Sequence, residues 1–528
     1  MSKEFGVFYT PKFLIDFIID KLPLDTVNNK NINVIEPSAG DGRFIDNLID
    51  KASQTTINAT LVEINNNSAK ILNEKFINKE EIKIINSDFL YYKNDRKFDI
   101  VLGNPPYISK KHLTKNQIER CREILSSASI PSIADKNIWT SFIIRCTQML
   151  EDNGVMALVL PFDLLQVKFG SHIQSYLIDN FSRIEIYTSN KLAFDKAEQD
   201  TIILLAFKKS KNKGLYVNEL EFDENGKNKS KLLFQSEDEC RELISRDENI
   251  KWSSLNLSDH ELNFLIKLSG KLSNIGSYAT SRPGIVTAAN SFFIVPKSKI
   301  EEYSLHEYSV PIIQKSQFFQ KKIIFNKSDF EKIVELKKPS YFIDLSTYIK
   351  NSSERVESYL KLGESQGINK RYKCLRRKHW YVVPTVSSGE GFFFKRCSGY
   401  PKIHKNNLDI LTTDAAYNLT MKRGFNIDSL IYSFYNPLTL CFAELYGRYY
   451  GGGVLELVPN EFRKLPIPYK KISTKSFLTF SKRFKDKVNI DDILLSSGRS
   501  VLSNIVNEDD FNKIMGIYKK LIQRRLKN

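Results

Sequence analysis

Asn33-Val34-Ile35-Glu36-Pro37-Ser38-Ala39-Gly40-Asp41-Gly42-Arg43-Phe44 runs from a β-branched strand through a turn of small residues into the start of a helix. Small residues at such a turn let the backbone approach a ligand closely. The turn lacks the G-K-[ST] of a phosphate-binding P-loop, which argues against ATP. The same alternation continues on the C-terminal side. Thr60–Glu63, Ile82–Asn86, Ile100–Gly103, Val155–Leu160, Ile184–Thr188 and Thr201–Phe207 read as strands, short, β-branched and mostly followed by Gly, Asn, Asp or Pro. Between them, Phe44–Ala52, Asn66–Phe76, Ile138–Leu150 and Gly170–Asn180 carry helical periodicity. Ahead of them Lys12–Leu22 reads as an amphipathic helix opened by Thr10-Pro11. Strands alternating with helices predict an α/β, Rossmann-like domain with a largely parallel sheet, whose ligands sit at the carboxyl ends of the strands.

Those strand ends carry the chemistry. Asn104-Pro105-Pro106-Tyr107 follows the strand Phe98–Gly103 directly. Two prolines hold the backbone extended and remove competing N–H groups. They leave the Asn104 side-chain oxygen and the Pro105 carbonyl as two fixed acceptors, which is what an exocyclic NH₂ needs, with Tyr107 as a flat face for a planar base. Glu63 ends the second strand 27 residues after Glu36, placed to accept from both hydroxyls of a ribose. Asp88, in Asn86-Ser87-Asp88-Phe89, ends the third, placed to accept from an adenine amine with Phe89 beside the ring. Each acid alone is an ordinary cap or surface charge; three on successive strand ends outline an adenosyl-binding cleft.

This series resembles the gamma class of N6-adenine DNA methyltransferases, in which cofactor motifs come first, N-P-P-Y next and a target-recognition domain last. The resemblance implies a Rossmann-like S-adenosylmethionine-dependent methyltransferase domain plus a mixed α+β C-terminal DNA-recognition domain. Phe8-Tyr9-Thr10-Pro11 resembles the motif that contacts the methionine part of S-adenosyl-L-methionine. It implies cofactor contacts at Tyr9, Thr10, Glu36, Ser38, Ala39, Gly40, Glu63, Asp88, Phe89, Asn104 and Pro106. Asn104, Pro105, Pro106 and Tyr107 would hold the target base, and Phe194 resembles a second aromatic stacked on a flipped adenine. Pro283–Phe293 resembles the opening of the recognition domain, and Tyr450–Pro459 through Leu465-Pro466-Ile467-Pro468 its close. The turn Ser38-Ala39-Gly40-Asp41-Gly42 departs from the family pattern, which leaves open which amide meets the cofactor carboxylate.

Charge divides the chain. Residues 1–250 hold 33 Lys and Arg against 36 Asp and Glu, a net of −3; residues 251–528 hold 45 against 25, a net of +20. A polyanion-binding module joined to a roughly neutral catalytic one fits this split. The densest cluster is Lys370-Arg371-Tyr372-Lys373-Cys374-Leu375-Arg376-Arg377-Lys378-His379-Trp380-Tyr381, where Arg371, Lys373, Arg376, Arg377 and Lys378 are expected DNA contacts, together with Lys110 and Lys111 beside N-P-P-Y. The expected divisions are a catalytic domain over 1–245, a double-stranded-DNA recognition domain over 246–470 and a helical segment over 471–528. Lys208–Lys231 reads as a polar stretch leading away from the first, and Phe292–Val295, Tyr381–Pro384 and Phe392–Lys395 as β-rich pieces of the second. Six scattered cysteines read as reduced core residues, with no metal site and no disulfide framework. No apolar run is long enough for a membrane span, and the N-terminus lacks a signal-peptide core, so a cytoplasmic protein is expected. Outside the catalytic core no nuclease signature stands out, and a cognate restriction endonuclease would be a separate chain. Protein-glutamine and RNA adenine methyltransferases share N-P-P-Y, so the motif alone leaves them open; the basic C-terminal half favours DNA.

Overall fold

The computed structural model describes residues 10–24, 31–52, 55–167, 169–189, 201–222, 228–236, 252, 257–319, 322–450, 453–486 and 489–526. The chain forms two compact units, residues 1–263 and 264–528. The first is built on α1 (Lys12–Asp20), β1 (Asn31–Glu36), α2 (Arg43–Lys51), β2 (Thr56–Glu63), α3 (Asn66–Lys75), β3 (Ile82–Asn86), β4 (Phe98–Gly103), α4 (Lys115–Ser127), α5 (Trp139–Met149), β5 (Leu150–Pro161), α6 (Asp163–Gln166), α7 (Gly170–Asn180), β6 (Arg183–Ser189), β7 (Thr201–Phe207), β8 (Gly214–Phe222) and β9 (Asn228–Ser236).

Its sheet runs in the order β3-β2-β1-β4-β5-β7-β6-β8-β9. The first five strands are parallel; β7 lies antiparallel between β5 and β6. Side chains alternate across the strands. Ile32, Val34, Ala59, Leu61, Ile100 and Leu102 share one core with Phe17 and Ile18 of α1 and Phe44, Ile45 and Leu48 of α2. Their neighbours Ile35, Val62 and Val101 are equally buried and point to the opposite face. Both faces are covered, which is why these strands read as continuous apolar runs rather than strict alternations.

The stretch Lys208–Lys231 does not lead away from this unit. β8 pairs in parallel with β6, and β9 returns antiparallel to β8, so both extend the same sheet. Leu215, Val217 and Leu220 are buried while Glu221 is exposed. A bulge between Val217 and Asn218 shifts the alternation, and charged residues on the open face made the segment read as linker.

The second unit carries a five-stranded sheet in the order Ala279–Pro283, Ala416–Met421, Gly391–Phe394, Ile403–Asn406, Ile324–Phe325, with smaller sheets of four and three strands. Phe292–Val295 is a helical turn, Asn290–Phe293, running into the strand Ile294–Val295, and Tyr381–Pro384 forms no strand. The aromatics there fill the core: Phe292 stacks on Tyr359 at 4.5 Å and meets Trp380 at 5.6 Å. Residues 471–528 are largely helical. The helix Glu508–Leu526 packs on Pro437–Tyr446, where Arg525 meets the buried Glu444 at 2.8 and 2.9 Å.

Candidate active site

Strand order in the first unit reverses between β1 and β4, the switch point at which open α/β sheets bind ligands. There the strand ends open into a cleft of about 730 Å³, within the usual range for small-molecule sites. Thr10, Glu36, Ser38, Ala39, Gly40, Glu63, Asp88, Phe89, Asn104, Pro105, Pro106 and Tyr107 all line it. Residues spread over 98 positions of sequence are thus brought together. Tyr9 and Phe194 lie outside the described residues.

Hydrogen bonds tie the motifs to one another. The Ser38 hydroxyl donates to the Asn104 carbonyl at 2.9 Å, and Asn104 Nδ2 donates to Thr10 Oγ1 at 3.2 Å. Arg43 Nη1 donates to the Thr10 carbonyl at 2.9 Å while its Nε holds Asp41 at 2.9 and 3.0 Å. Burial would raise the Asp41 carboxyl, but the Arg43 guanidinium outweighs it and keeps the group below its ordinary value. Gly42, at φ +74°, starts α2 in a left-handed conformation; a Cβ there would strike Leu72 at 2.7 Å. Gly103, at φ +154°, lets β4 turn into Asn104 beside Glu36 and Pro37, 3.4 and 3.5 Å from where a Cβ would stand.

The three acids differ. Glu36 is 1% exposed, its Oε2 has no hydrogen-bond partner among the described residues, and its carboxyl is pushed well above its ordinary value by burial, then by the charges of Asp41 and Glu63. Glu63 accepts the Asn65 N–H at 2.7 Å on Oε1 and the Gly40 N–H at 2.8 Å on Oε2. Asp88 accepts the Leu90 N–H at 2.9 Å and Gln117 Nε2 at 3.0 Å. An ionised carboxylate has about four lone-pair sites, so Glu63 and Asp88 both keep acceptor capacity after these bonds. Phe89 is buried against Phe142, centroids 5.0 Å apart. The Tyr107 hydroxyl is buried, has no partner among the described residues, and is held well above its ordinary ionisation by that burial.

Sequence reading missed part of the lining, His112–Thr114, Gln117 and Ile108. Its signal was present as Thr114-Lys115-Asn116-Gln117, a capping box formed in full at the start of α4. Gln117 Oε1 takes the Thr114 N–H and hydroxyl, both at 3.2 Å, which turns its NH₂ toward Asp88. Of the expected DNA contacts, Lys110 pairs with the buried Asp135, which Arg122 also meets at 3.0 Å. Lys111 is exposed. In the second unit Arg371, Lys373, Arg376 and Lys378 are exposed, whereas Arg377 is half-buried and donates to the carbonyls of Val286, Thr287 and Trp380. Cys121, Cys146, Cys374 and Cys441 are buried, Cys397 is half-buried, and all five are free thiols; Cys240 lies outside the described residues. Among the described residues no group of three His, Cys, Asp or Glu is placed to hold a metal ion, and no helix is long and apolar enough to cross a membrane.

Residues 28–194 match the family model of the Eco57I restriction-modification methylase, and residues 249–502 that of the C-terminal domain of type II methyltransferase M.Eco57I. The chain is 24% identical over 482 residues to type II methyltransferase M.AccI of Acinetobacter calcoaceticus, covering 88% of this chain and 85% of that protein. It is 32% identical over 167 residues to type II methyltransferase M.CvrRI of Paramecium bursaria Chlorella virus XZ-6E, covering 31% of this chain and 38% of that one. Among solved structures, the cryo-EM DrdV–DNA complex superposes with a TM-score of 0.49 at 12% identity, over 91% of this chain and 57% of the other. The first unit has a Rossmann-like α/β fold, and the second is a mixed α+β domain.

Proposed function

We propose that this chain, a methyltransferase of the restriction-modification type, transfers a methyl group from S-adenosylmethionine to N6 of a flipped adenine in double-stranded DNA. The observation that carries the reading is the meeting of Asn104–Tyr107 with Glu36, Glu63 and Asp88 in one cleft at the switch point of the sheet.

The residues fit the cofactor. The Glu36 oxygen without a partner among the described residues and the acceptor capacity of Glu63 and Asp88 suit a ligand rich in N–H and O–H donors. Glu63 would hold the ribose hydroxyls, Asp88 the adenine amine beside Phe89, and Thr10, Ser38, Ala39 and Gly40 the methionine end. When bound, the cofactor supplies an electrophilic sulfonium methyl.

The chain's own residues align the nucleophile. The adenine amine is weakly nucleophilic because its lone pair is conjugated with the ring. Asn104 commits its NH₂ to Thr10, which turns its carbonyl oxygen to the substrate beside the Pro105 carbonyl. Two acceptors drawing on the two N–H groups favour tetrahedral nitrogen, and catalysis is alignment plus electrostatics. Flipping the base costs a few kcal/mol; stacking on Tyr107 and Phe194 offsets it at ~1–3 kcal/mol per base.

On this reading residues 264–528 supply target recognition, with Arg371, Lys373, Arg376 and Lys378, and Lys111 of the first unit, as phosphate or base contacts. The enzyme works in the cytoplasm, and a cognate endonuclease is a separate chain. Incubating the purified protein with duplex DNA and methyl-labelled S-adenosylmethionine, then separating the nucleosides, tests the proposal. N6-methyl-2′-deoxyadenosine should carry the label; label in cytosine, RNA or protein alone would overturn it.

A further inference from the structure

Residues 365–389 contain six Lys and Arg and no Asp or Glu. Within them the short helix Tyr372–Leu375 turns one side into the core, where Cys374 is fully buried and Ile368 is 2% exposed. Its other side presents Tyr372 and Leu375, 66% and 67% exposed. Two large apolar side chains this open, side by side on a short rigid element, are not accounted for by the core.

The segment is held firmly. Arg371 Nη1 donates to the Ala288 carbonyl at 3.0 Å, and Arg377 Nη2 to the Thr287 carbonyl at 2.8 Å. The Arg376 guanidinium lies over the Tyr372 ring at 4.3 Å. Lys373 and Lys378 are exposed and make no ion pair or side-chain hydrogen bond among the described residues. A pinned segment thus exposes two apolar side chains beside cations that have no acidic partner among the described residues.

We infer that Tyr372 and Leu375 form an apolar wedge that enters duplex DNA at a base step, with Lys373, Arg376 and Lys378 on the flanking phosphates; this rests on the DNA-methylating reading above. The charge complementarity selects the partner: a polyanion satisfies the cations, and unstacked base faces give the two apolar side chains their cover. Apolar side chains inserted between base steps kink the duplex by roughly 20–90°, and such distortion lowers the cost of freeing a neighbouring base.

Full-length protein and a duplex carrying the sequence it methylates allow the test, by gel mobility of circularly permuted fragments at several salt concentrations. Wild type should bend the duplex. Leu375→Ala and Tyr372→Ala should each reduce the bend and weaken binding roughly fivefold or more, the scale of one lost stacking contact, with the salt slope unchanged. Lys373→Ala and Lys378→Ala should keep the bend and flatten the salt slope by about one each. All four positions are exposed, and unchanged thermal melting confirms that the variants fold. A duplex bound but not bent by wild type, or bent equally by Leu375→Ala, overturns the wedge and leaves the methylation reading intact. Failure of wild type to bind any duplex overturns both.

Discussion

Replacing Glu63 by Gln separates two tasks that the structure gives one side chain. The carboxylate takes the Asn65 N–H at 2.7 Å and the Gly40 N–H at 2.8 Å, and so fixes the entry to α3 and the turn before α2. Glutamine has one acceptor oxygen. Whichever way its amide turns, its NH₂ faces one of these two donors, and one bond to a charged acceptor is lost. Such bonds contribute about 1.5–3 kcal/mol when made to charged groups, so the ligand-free protein should melt at a lower temperature. The second loss is to the ligand. If both ribose hydroxyls donate to this carboxylate, removing the charge should cost about 1–3 kcal/mol of binding, or roughly 5- to 150-fold in Kd. Calorimetric titration with S-adenosylhomocysteine, beside thermal denaturation without ligand, reads the two losses separately. A lower melting temperature with Kd within twofold of wild type would falsify the ligand role and leave Glu63 as a backbone clamp.

Three other perturbations have definite expected outcomes. Asn104→Ala should abolish methyl transfer while S-adenosylhomocysteine affinity stays within a few-fold of wild type; near-normal turnover of labelled methyl into DNA would remove Asn104 from the chemistry. Burial, then the charges of Asp41 and Glu63, push the Glu36 carboxyl well above its ordinary value. Its raised folded value means that stability is fully present below the ordinary carboxylate range and falls as pH rises through the raised value. Glu36→Gln should therefore gain in melting temperature over wild type as pH rises above the ordinary carboxylate range, and parallel curves would show that the carboxyl is not shifted upward. Arg377→Ala frees three carbonyls, those of Val286, Thr287 and Trp380, and should destabilise by about 1–3 kcal/mol in denaturant titration, a loss that Arg376→Ala should not share.

The sequence was most readable where one residue type leaves few physical options. Ile82–Asn86, Thr201–Phe207 and Gly170–Asn180 end in the structure where their patterns end; in Thr201–Phe207 the run Ile202–Ala206 is buried throughout, and the chain leaves the sheet at the polar residues that follow Phe207. The edge was harder. β8 and β9 carry charges on an open face and a bulge that breaks the two-residue period, so they read as linker. The cleft was legible by its acids and N-P-P-Y, each at a strand end. Part of its lining was not, because Gln117 reaches Asp88 only after α4 has been packed across 29 residues of intervening chain. Lys110 and Arg377 show a related limit. Composition counts cations alike, whereas the fold pairs Lys110 with a buried acid and turns Arg377 onto backbone carbonyls.

That distinction bears on how a polyanion would be held. The first 250 residues carry a net charge of −3, and the lining of their cleft includes the acids Asp41, Glu63 and Asp88. An acidic lining is acceptable for a cofactor that presents a cationic sulfonium and an ammonium group, but works against a phosphate backbone. Cations of this unit offer little relief, since Arg43, which lines the cleft, is paired with Asp41, and Lys110 and Arg122 are spent on Asp135. On the proposed function, attraction for a duplex would come from residues 251–528, with a net of +20, and above all from cations such as Lys373 and Lys378, which have no acidic partner among the described residues. A flipped base is itself uncharged, and would enter an acid-lined cleft without the penalty that its phosphates would meet. On the proposed function the two halves would therefore divide the problem by charge: one would attract the backbone, and the other would receive only the part of the nucleotide that carries none.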